Sequence, residues 1–264
     1  MSGERLPVVL AIGGHDPTGG AGIQADIEAI RARGAWPATL VTALTAQSTH
    51  RVLACVPVEP EDLLEQAREL LDDLPVDAVK IGLLPDAATV AAVGEILQWL
   101  PGRPIVCDPV LRAGTGDALT PDGLVSALVA TILPRCALVT PNSPEARVLA
   151  GGEAGLDRAA AALLATGAAA VLITGTHEPT PDVVHVLYRP GCPPIVSRWP
   201  RLPATFHGSG CTLSAAIAAD LARGLDLESA VVAAARYTWS TLEHGIALGR
   251  GHRLPLRLAN YCAF

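Results

Sequence analysis

The sequence predicts a three-layer α/β/α domain on a mainly parallel central sheet, and three observations carry that expectation. Short, continuously apolar segments alternate along the chain with longer stretches of helical period, the pattern of repeated strand–helix units. Most of the apolar segments end in glycine or polar residues, as buried parallel strands do where they reach the ligand edge of an open sheet. Half of the 264 residues are hydrophobic, with no internal repeat or linker, so one domain spanning residues 1–264 is expected.

Residues 7–12 form the first expected strand. The loop over 13–22 holds five glycines and fits neither a dinucleotide fingerprint nor a Walker motif. A helix over 23–33 follows, with Asp26 in its first turn. A second strand over 38–44 ends at Thr45-Ala46-Gln47-Ser48-Thr49, read as a polar segment just past the strand's C-terminal end. Thr45 and Gln47 there either meet a ligand or make ordinary loop hydrogen bonds. Next come a helix over 59–71, a short strand over 78–82 containing Lys80, a helix over 89–97, and a strand over 105–108 ending in Asp108. The glycine-bearing loop 109–119 is the expected lid.

A helix over 124–132 and a strand over 137–140 lead to Pro141-Asn142-Ser143-Pro144-Glu145, which starts a helix through 149. Asn142 and Glu145 suit a capping box. Beside a phosphate site they would equally suit Mg²⁺ held through its waters. A helix over 156–165 and a strand over 170–173 end at Thr174-Gly175-Thr176-His177, and an edge hairpin over 183–188 and 195–197 follows.

Thr205-Phe206-His207-Gly208-Ser209-Gly210-Cys211-Thr212-Leu213-Ser214 then opens into an alanine-rich helix. A glycine loop running into a helix N-terminus presents unpaired N–H groups and the positive end of the dipole, which is an anion site. Cys211 at its mouth is expected to have a lowered pKa and to act as base or nucleophile. The competing reading is a glycine turn capping a buried helix, with Cys211 as a small core residue. A long helix over 227–242 and a tail over 249–264 complete the chain. The polar and glycine-rich segments nearly all follow strands and should converge on one edge.

Composition excludes several classes. A net charge of −7 without a basic cluster argues against nucleic acid. The longest apolar run, 159–173, is broken at Thr166-Gly167, and residues 1–7 lack a signal-peptide core, so no membrane span is expected. Six cysteines without a C-x-x-C pairing suggest neither zinc nor a disulfide framework and place the protein in the reducing cytoplasm. Lys80 is the single lysine among 19 basic residues, a position that can need a compact ammonium.

Taken together, these segments resemble the hydroxymethylpyrimidine/phosphomethylpyrimidine kinase family of thiamine biosynthesis, within the ribokinase-like superfamily. The matching motifs run from Gly14-His15-Asp16-Pro17-Thr18-Gly19-Gly20-Ala21-Gly22 through Asp26, then Val41 to Thr49, Val79-Lys80-Ile81-Gly82-Leu83-Leu84 and Asp108-Pro109-Val110-Leu111. Thr140 to Ala146 and His207 to Ala215 follow in the family's order. Cysteine in the anion loop, where most of the superfamily has aspartate, points to this family in particular.

The resemblance implies a ribokinase-like fold and two ATP-dependent phosphorylations. The first takes 4-amino-5-hydroxymethyl-2-methylpyrimidine to its monophosphate, and the second takes the monophosphate to the diphosphate. It implies Gln47 on the pyrimidine's ring nitrogen and amino group, with Gly14, Ala21, Asp26, Thr45, Leu83 and Asp108 lining the substrate pocket. Cys211 would be the base, and the N–H groups of Gly208, Ser209, Gly210 and Cys211 would form the anion hole. Asn142, Thr174, His207, Thr212, Arg112 and Lys80 would meet ATP and its phosphates, and Asn142 and Glu145 would support Mg²⁺ through water. A homodimer is usual for the family. Two family lysines are replaced here by Thr174 and Gly114, leaving Arg112 and Lys80 to compensate. The competing readings are a pyridoxal kinase on the same fold and a non-catalytic pyrimidine-phosphate sensor.

Overall fold

A computed structural model describes residues 5–111 and 121–258. Among the described residues nine strands form one sheet, in the order β3-β2-β1-β4-β5-β6-β7-β8-β9. The parallel centre comprises β1 (Val8–His15), β2 (Trp36–Ser48), β4 (Ala78–Ile81), β5 (Ile105–Cys107), β6 (Leu138–Val139) and β7 (Val171–Thr174). Antiparallel strands close both edges: β3 (Arg51–Pro57) on one side, β8 (Asp182–Tyr188) and β9 (Ile195–Pro200) on the other.

The central strands bury both faces, as their unbroken apolar runs predict. In β1 the two-residue period sends Leu10 and Ile12 into one core and Val9 and Ala11 into the other. Helices α2 (Pro60–Asp73), α3 (Ala87–Ile96), α4 (Leu124–Ala127), α5 (Ser143–Leu149) and α6 (Leu156–Ala165) cover the first face. The helices α1 (Gly22–Ala32), α7 (Ser209–Ala222) and α8 (Leu227–Glu243) cover the second. In α7, Ala215, Ala216, Ala218 and Ala219 are fully buried. Their small side chains let α7 lie close against β1, β4 and β5, with α1 and α8 alongside. The N-terminus of α7 is thereby fixed over the sheet's ligand edge.

Two expectations need correction. The segment Thr45–Ser48 is not a loop but the last part of β2, paired with the unforeseen strand β3. Its polar residues masked a period of two, and the register skips Leu53, a bulge residue that stays exposed. The helix expected over 124–132 is α-helical only at its start. Leu128–Ile132 widens into a π turn and Leu133–Arg135 tightens into a 3₁₀ turn at Pro134. Over its described part the tail is tied down, with Arg253 bridging to Phe206 and Leu254 to Ile246. Of the loop expected as a lid, residues 112–119 lie outside the described residues. Among the described residues no helix is long and apolar enough to cross a membrane.

Candidate active site

A cleft opens along the C-terminal edge of the parallel strands, where loop carbonyls and helix N-termini converge. Fifteen of the residues singled out in the sequence line it: Gly14, Ala21, Thr45, Gln47, Lys80, Leu83, Asp108, Asn142, Glu145, Thr174, His207, Gly208, Ser209, Gly210 and Cys211. Asp26 and Thr212 stand behind its wall, fully buried. Arg112 lies outside the described residues. Sequence reasoning missed Val52, on the unforeseen β3, as well as Phe206 and Val110.

The floor is the first turn of α7. Gly208 is its N-cap at φ 79°, and no side chain caps the helix, so the first-turn N–H groups face the cleft. A Cβ on Gly208 would collide with the Gly20 carbonyl, so glycine is required both by the backbone angle and by the close approach of the two glycine loops. A Cβ on Gly14 would meet Leu83 Cδ2 at 2.7 Å, a contact that the mobile end of the leucine side chain can relieve.

Beneath the floor lies a charged cluster drawn from four distant segments. Lys80 Nζ on β4 sits 2.8 Å from Asp26 Oδ1 on α1, both side chains fully buried. Burial alone would push Lys80 down, but Asp26, Cys211 and Asp108 outweigh it and hold its pKa above the usual lysine value. Lys80 is thus committed to Asp26, rather than free to reach a nucleotide, although its surface borders the cleft. Burial pushes Asp108 up to about 6, with Lys80 opposing and hydrogen bonds from Cys211 and Ser214 moderating the shift.

Cys211 departs from expectation. It keeps part of its surface open to the cleft, yet its thiol is pushed up to about 12, not down. Burial is the main cause. Lys80 and a hydrogen bond from the Gly22 N–H favour the thiolate, but the carboxylates of Asp108 and Asp26 oppose it. A helix dipole alone would lower the thiol; burial and those two carboxylates outweigh it. The thiol instead shares a hydrogen bond with Asp108.

Asn142 and Glu145 form the capping box. Asn142 Oδ1 accepts from the Glu145 N–H at 2.9 Å, and Glu145 Oε2 accepts from the Asn142 N–H at 3.0 Å. The Leu111 N–H also donates to Glu145 Oε1, at 3.3 Å. Even so, burial and then Asp108 push Glu145 up to about 8, and no cation among the described residues offsets that rise. That shortage fits a metal ion. Among the described residues no group of three or more His, Cys, Asp or Glu could hold one by itself, so phosphates or water would have to complete its shell.

Above the floor, Gln47 turns to the cleft, and its amide makes no hydrogen bond to any described residue. The Thr45 hydroxyl donates to the His15 carbonyl at 2.8 Å, the ordinary hydrogen bond that was the alternative for it. Asp16 and His207 join the two glycine loops at 2.8 Å. Burial would raise Asp16, yet hydrogen bonds from His207 and Thr18 hold it below its usual value.

Residues 16–256 match the family model described as phosphomethylpyrimidine kinase. The chain is 40% identical to a hydroxymethylpyrimidine/phosphomethylpyrimidine kinase of Rhizobium meliloti, covering 92% of this chain and 95% of that protein. It is 38% identical to a thiamine biosynthesis bifunctional protein of Geobacter sulfurreducens, of whose length it spans 51%. Among solved structures, a Bacillus subtilis pyridoxal kinase in complex with ADP superposes with a TM-score of 0.87 at 27% identity, covering 98% of this chain and all of that one.

Proposed function

The chain belongs to the phosphomethylpyrimidine kinase family, and on that footing we propose that its cleft carries out both phosphorylations of the thiamine pyrimidine. ATP phosphorylates the hydroxymethyl group of 4-amino-5-hydroxymethyl-2-methylpyrimidine, and a second ATP converts the monophosphate to the diphosphate. The observation that carries this reading is the placement of an unoccupied amide, Gln47, on the wall of a cleft whose floor is an uncapped helix N-terminus bearing Cys211. An amide both donates and accepts, which matches a ring nitrogen beside an amino group.

Phosphoryl transfer needs positioning and charge stabilisation more than covalent chemistry. The first-turn N–H groups from Ser209 to Cys211 receive the transferred phosphoryl group. In the first reaction the hydroxyl proton leaves for Cys211 while the thiol proton passes to Asp108, its hydrogen-bond partner, which is ionised above about pH 6. In the second reaction the nucleophile is an ionised phosphate and needs no such relay. Mg²⁺, when bound, neutralises charge on the phosphates. Glu145 would hold it through water, with Asn142 orienting Glu145. Thr174 and His207, which line the cleft, are assigned to the nucleotide.

The hairpin of β2 and β3 exposes Leu44, Leu53 and Val56. We assign it to the contact between two copies of this chain, with light scattering as the check. The free cysteines 55, 107, 136, 192 and 211 suit the reducing cytoplasm. A pyridoxal kinase reading draws on structural likeness, to the Bacillus subtilis enzyme and to pyridoxal kinase of Staphylococcus aureus at a TM-score of 0.88 and 26% identity. The deciding experiment is an ADP-release assay with hydroxymethylpyrimidine, its monophosphate and pyridoxal as acceptors. Turnover of the first two supports the assignment, whereas turnover of pyridoxal alone transfers it.

A further inference from the structure

Arg257 lies in the tail, one residue beyond the segment matched to the family, and nothing in the sequence draws attention to it. In the structure its side chain is only 1% exposed. Nε donates to Thr212 Oγ1 at 2.8 Å, and Nη1 donates to the Gly19 carbonyl at 3.2 Å and to Glu28 at 3.1 Å. Nη2 donates to the Gly20 carbonyl. The Thr212 hydroxyl in turn donates to the Gly208 carbonyl at 2.8 Å. The guanidinium thus ties the carbonyls of one glycine loop to the N-cap of α7 through a single hydroxyl. Arg257 does not line the cleft, so it acts from behind the anion loop.

We propose that Arg257 is a positioning residue for phosphoryl transfer, locking the Gly208–Cys211 turn against the Gly19–Gly20 loop so that the α7 N-terminus and Cys211 face the transferred group. Stability alone accounts poorly for the arrangement. A buried cation is costly to desolvate, and an apolar side chain of similar size commonly serves stability as well or better. Two of the acceptors are neutral carbonyls, and the one carboxylate, Glu28, is itself 21% exposed. What the planar fork supplies is direction: Thr212 lies along Nε while Gly19 and Gly20 lie along the two Nη atoms, a spread that an ammonium cannot span. Asp16–His207 joins the same two loops on the other side of Gly208, so the turn is fixed from both ends.

The proposal rests on the kinase reading and is tested with the full chain as Arg257→Ala and Arg257→Lys. The measurements are kcat and KM for hydroxymethylpyrimidine and ATP, melting temperature, and hydrogen exchange over residues 18–22 and 207–212. Misplacement of a reacting group by about 1 Å costs roughly 10²-fold, so Arg257→Ala should lose about 30- to 100-fold in kcat. KM should move less than about threefold, and added guanidinium ion should restore part of kcat. Arg257→Lys should keep the fold, show faster exchange confined to the two loops, and recover little kcat. If Arg257→Ala does not fold, Arg257→Lys decides by the same readings. Unchanged kcat in a folded variant, or exchange in both loops equal to wild type, overturns the proposal. If wild type phosphorylates no pyrimidine, the kinase reading fails instead, and the exchange data still decide whether Arg257 holds the loops.

Discussion

Two buried polar clusters flank the N-terminus of α7, and they differ in how well their charges are matched. On one side, Asp16 accepts hydrogen bonds from Thr18, Ala21 and His207, and Arg257 is bonded by every nitrogen of its guanidinium. Asp16 accordingly sits below its usual pKa. On the other side, Lys80 faces Asp26, Asp108 and Cys211, with a weaker pull from Arg257 on Asp26 and with Glu145 beyond. There Asp108 rises to about 6, Glu145 to about 8 and Cys211 to about 12. A charge-matched cluster fixes shape. An under-compensated one keeps protons that can move near neutral pH, which is the condition for acid–base work.

The largest test of that division is Cys211→Ala. If the under-compensated cluster moves the substrate's proton, the first phosphorylation should slow by about 10²–10⁴-fold, the usual worth of general-base catalysis. The second should slow far less, since its nucleophile carries no proton to lose. Single-turnover rates for the two acceptors check this, and equal slowing would remove Cys211 from the proton path. Next is Lys80→Met. It leaves Asp26 buried without its cation, which should cost roughly 3–5 kcal/mol in urea unfolding. The double variant Lys80→Met, Asp26→Leu should regain most of that stability but not the activity. Full recovery of both would reduce the pair to packing.

Smaller still is the effect of Asp108→Asn. The first-step rate of the wild type should fall as pH drops below about 6, because the carboxylate that receives the thiol proton becomes protonated. Asp108→Asn should lose that acid limb and run about 10²-fold slower across the range. A limb that persists in Asp108→Asn would place the titrating group elsewhere.

The legible part of this molecule is the part encoded locally. Unbroken apolar runs marked the central strands, and glycine loops after them marked the cleft edge, because both follow from a few consecutive residues. The β2–β3 hairpin escaped because polar Thr45 and Gln47 face the cleft side of a strand whose pairing, not its composition, makes it a strand. The direction of the Cys211 shift escaped for a different reason. A helix N-terminus is visible in sequence, whereas Asp26 and Asp108 reach Cys211 only through the fold. Lys80 was noticed as the lone lysine, but its partner Asp26 lies 54 positions away. Asn142 and Glu145 were legible as a cap because the motif is four residues long. Arg257 carried no signal, since an arginine in a tail becomes informative only when its 237-residue reach to Gly20 is known.

His185 sharpens the comparison from outside both clusters. It stands in β8 opposite Thr174 and Ser197, and burial alone pushes it down to about 4. The unfolded chain takes up a proton on this ring below about pH 6.5, whereas the native state refuses it until about pH 4. Between those values the unfolded state binds more protons, so stability is fully present above about pH 6.5 and is lost as pH falls toward 4. The loss should be on the order of 1–3 kcal/mol. His185→Phe should flatten this slope in urea titrations at pH 4.5, 5.5 and 6.5 while leaving the first-step pH profile, set by Asp108, where it was. A slope unchanged by His185→Phe would assign the acid sensitivity to the site clusters, and burial without a partner would then no longer suffice to explain any titration in this fold.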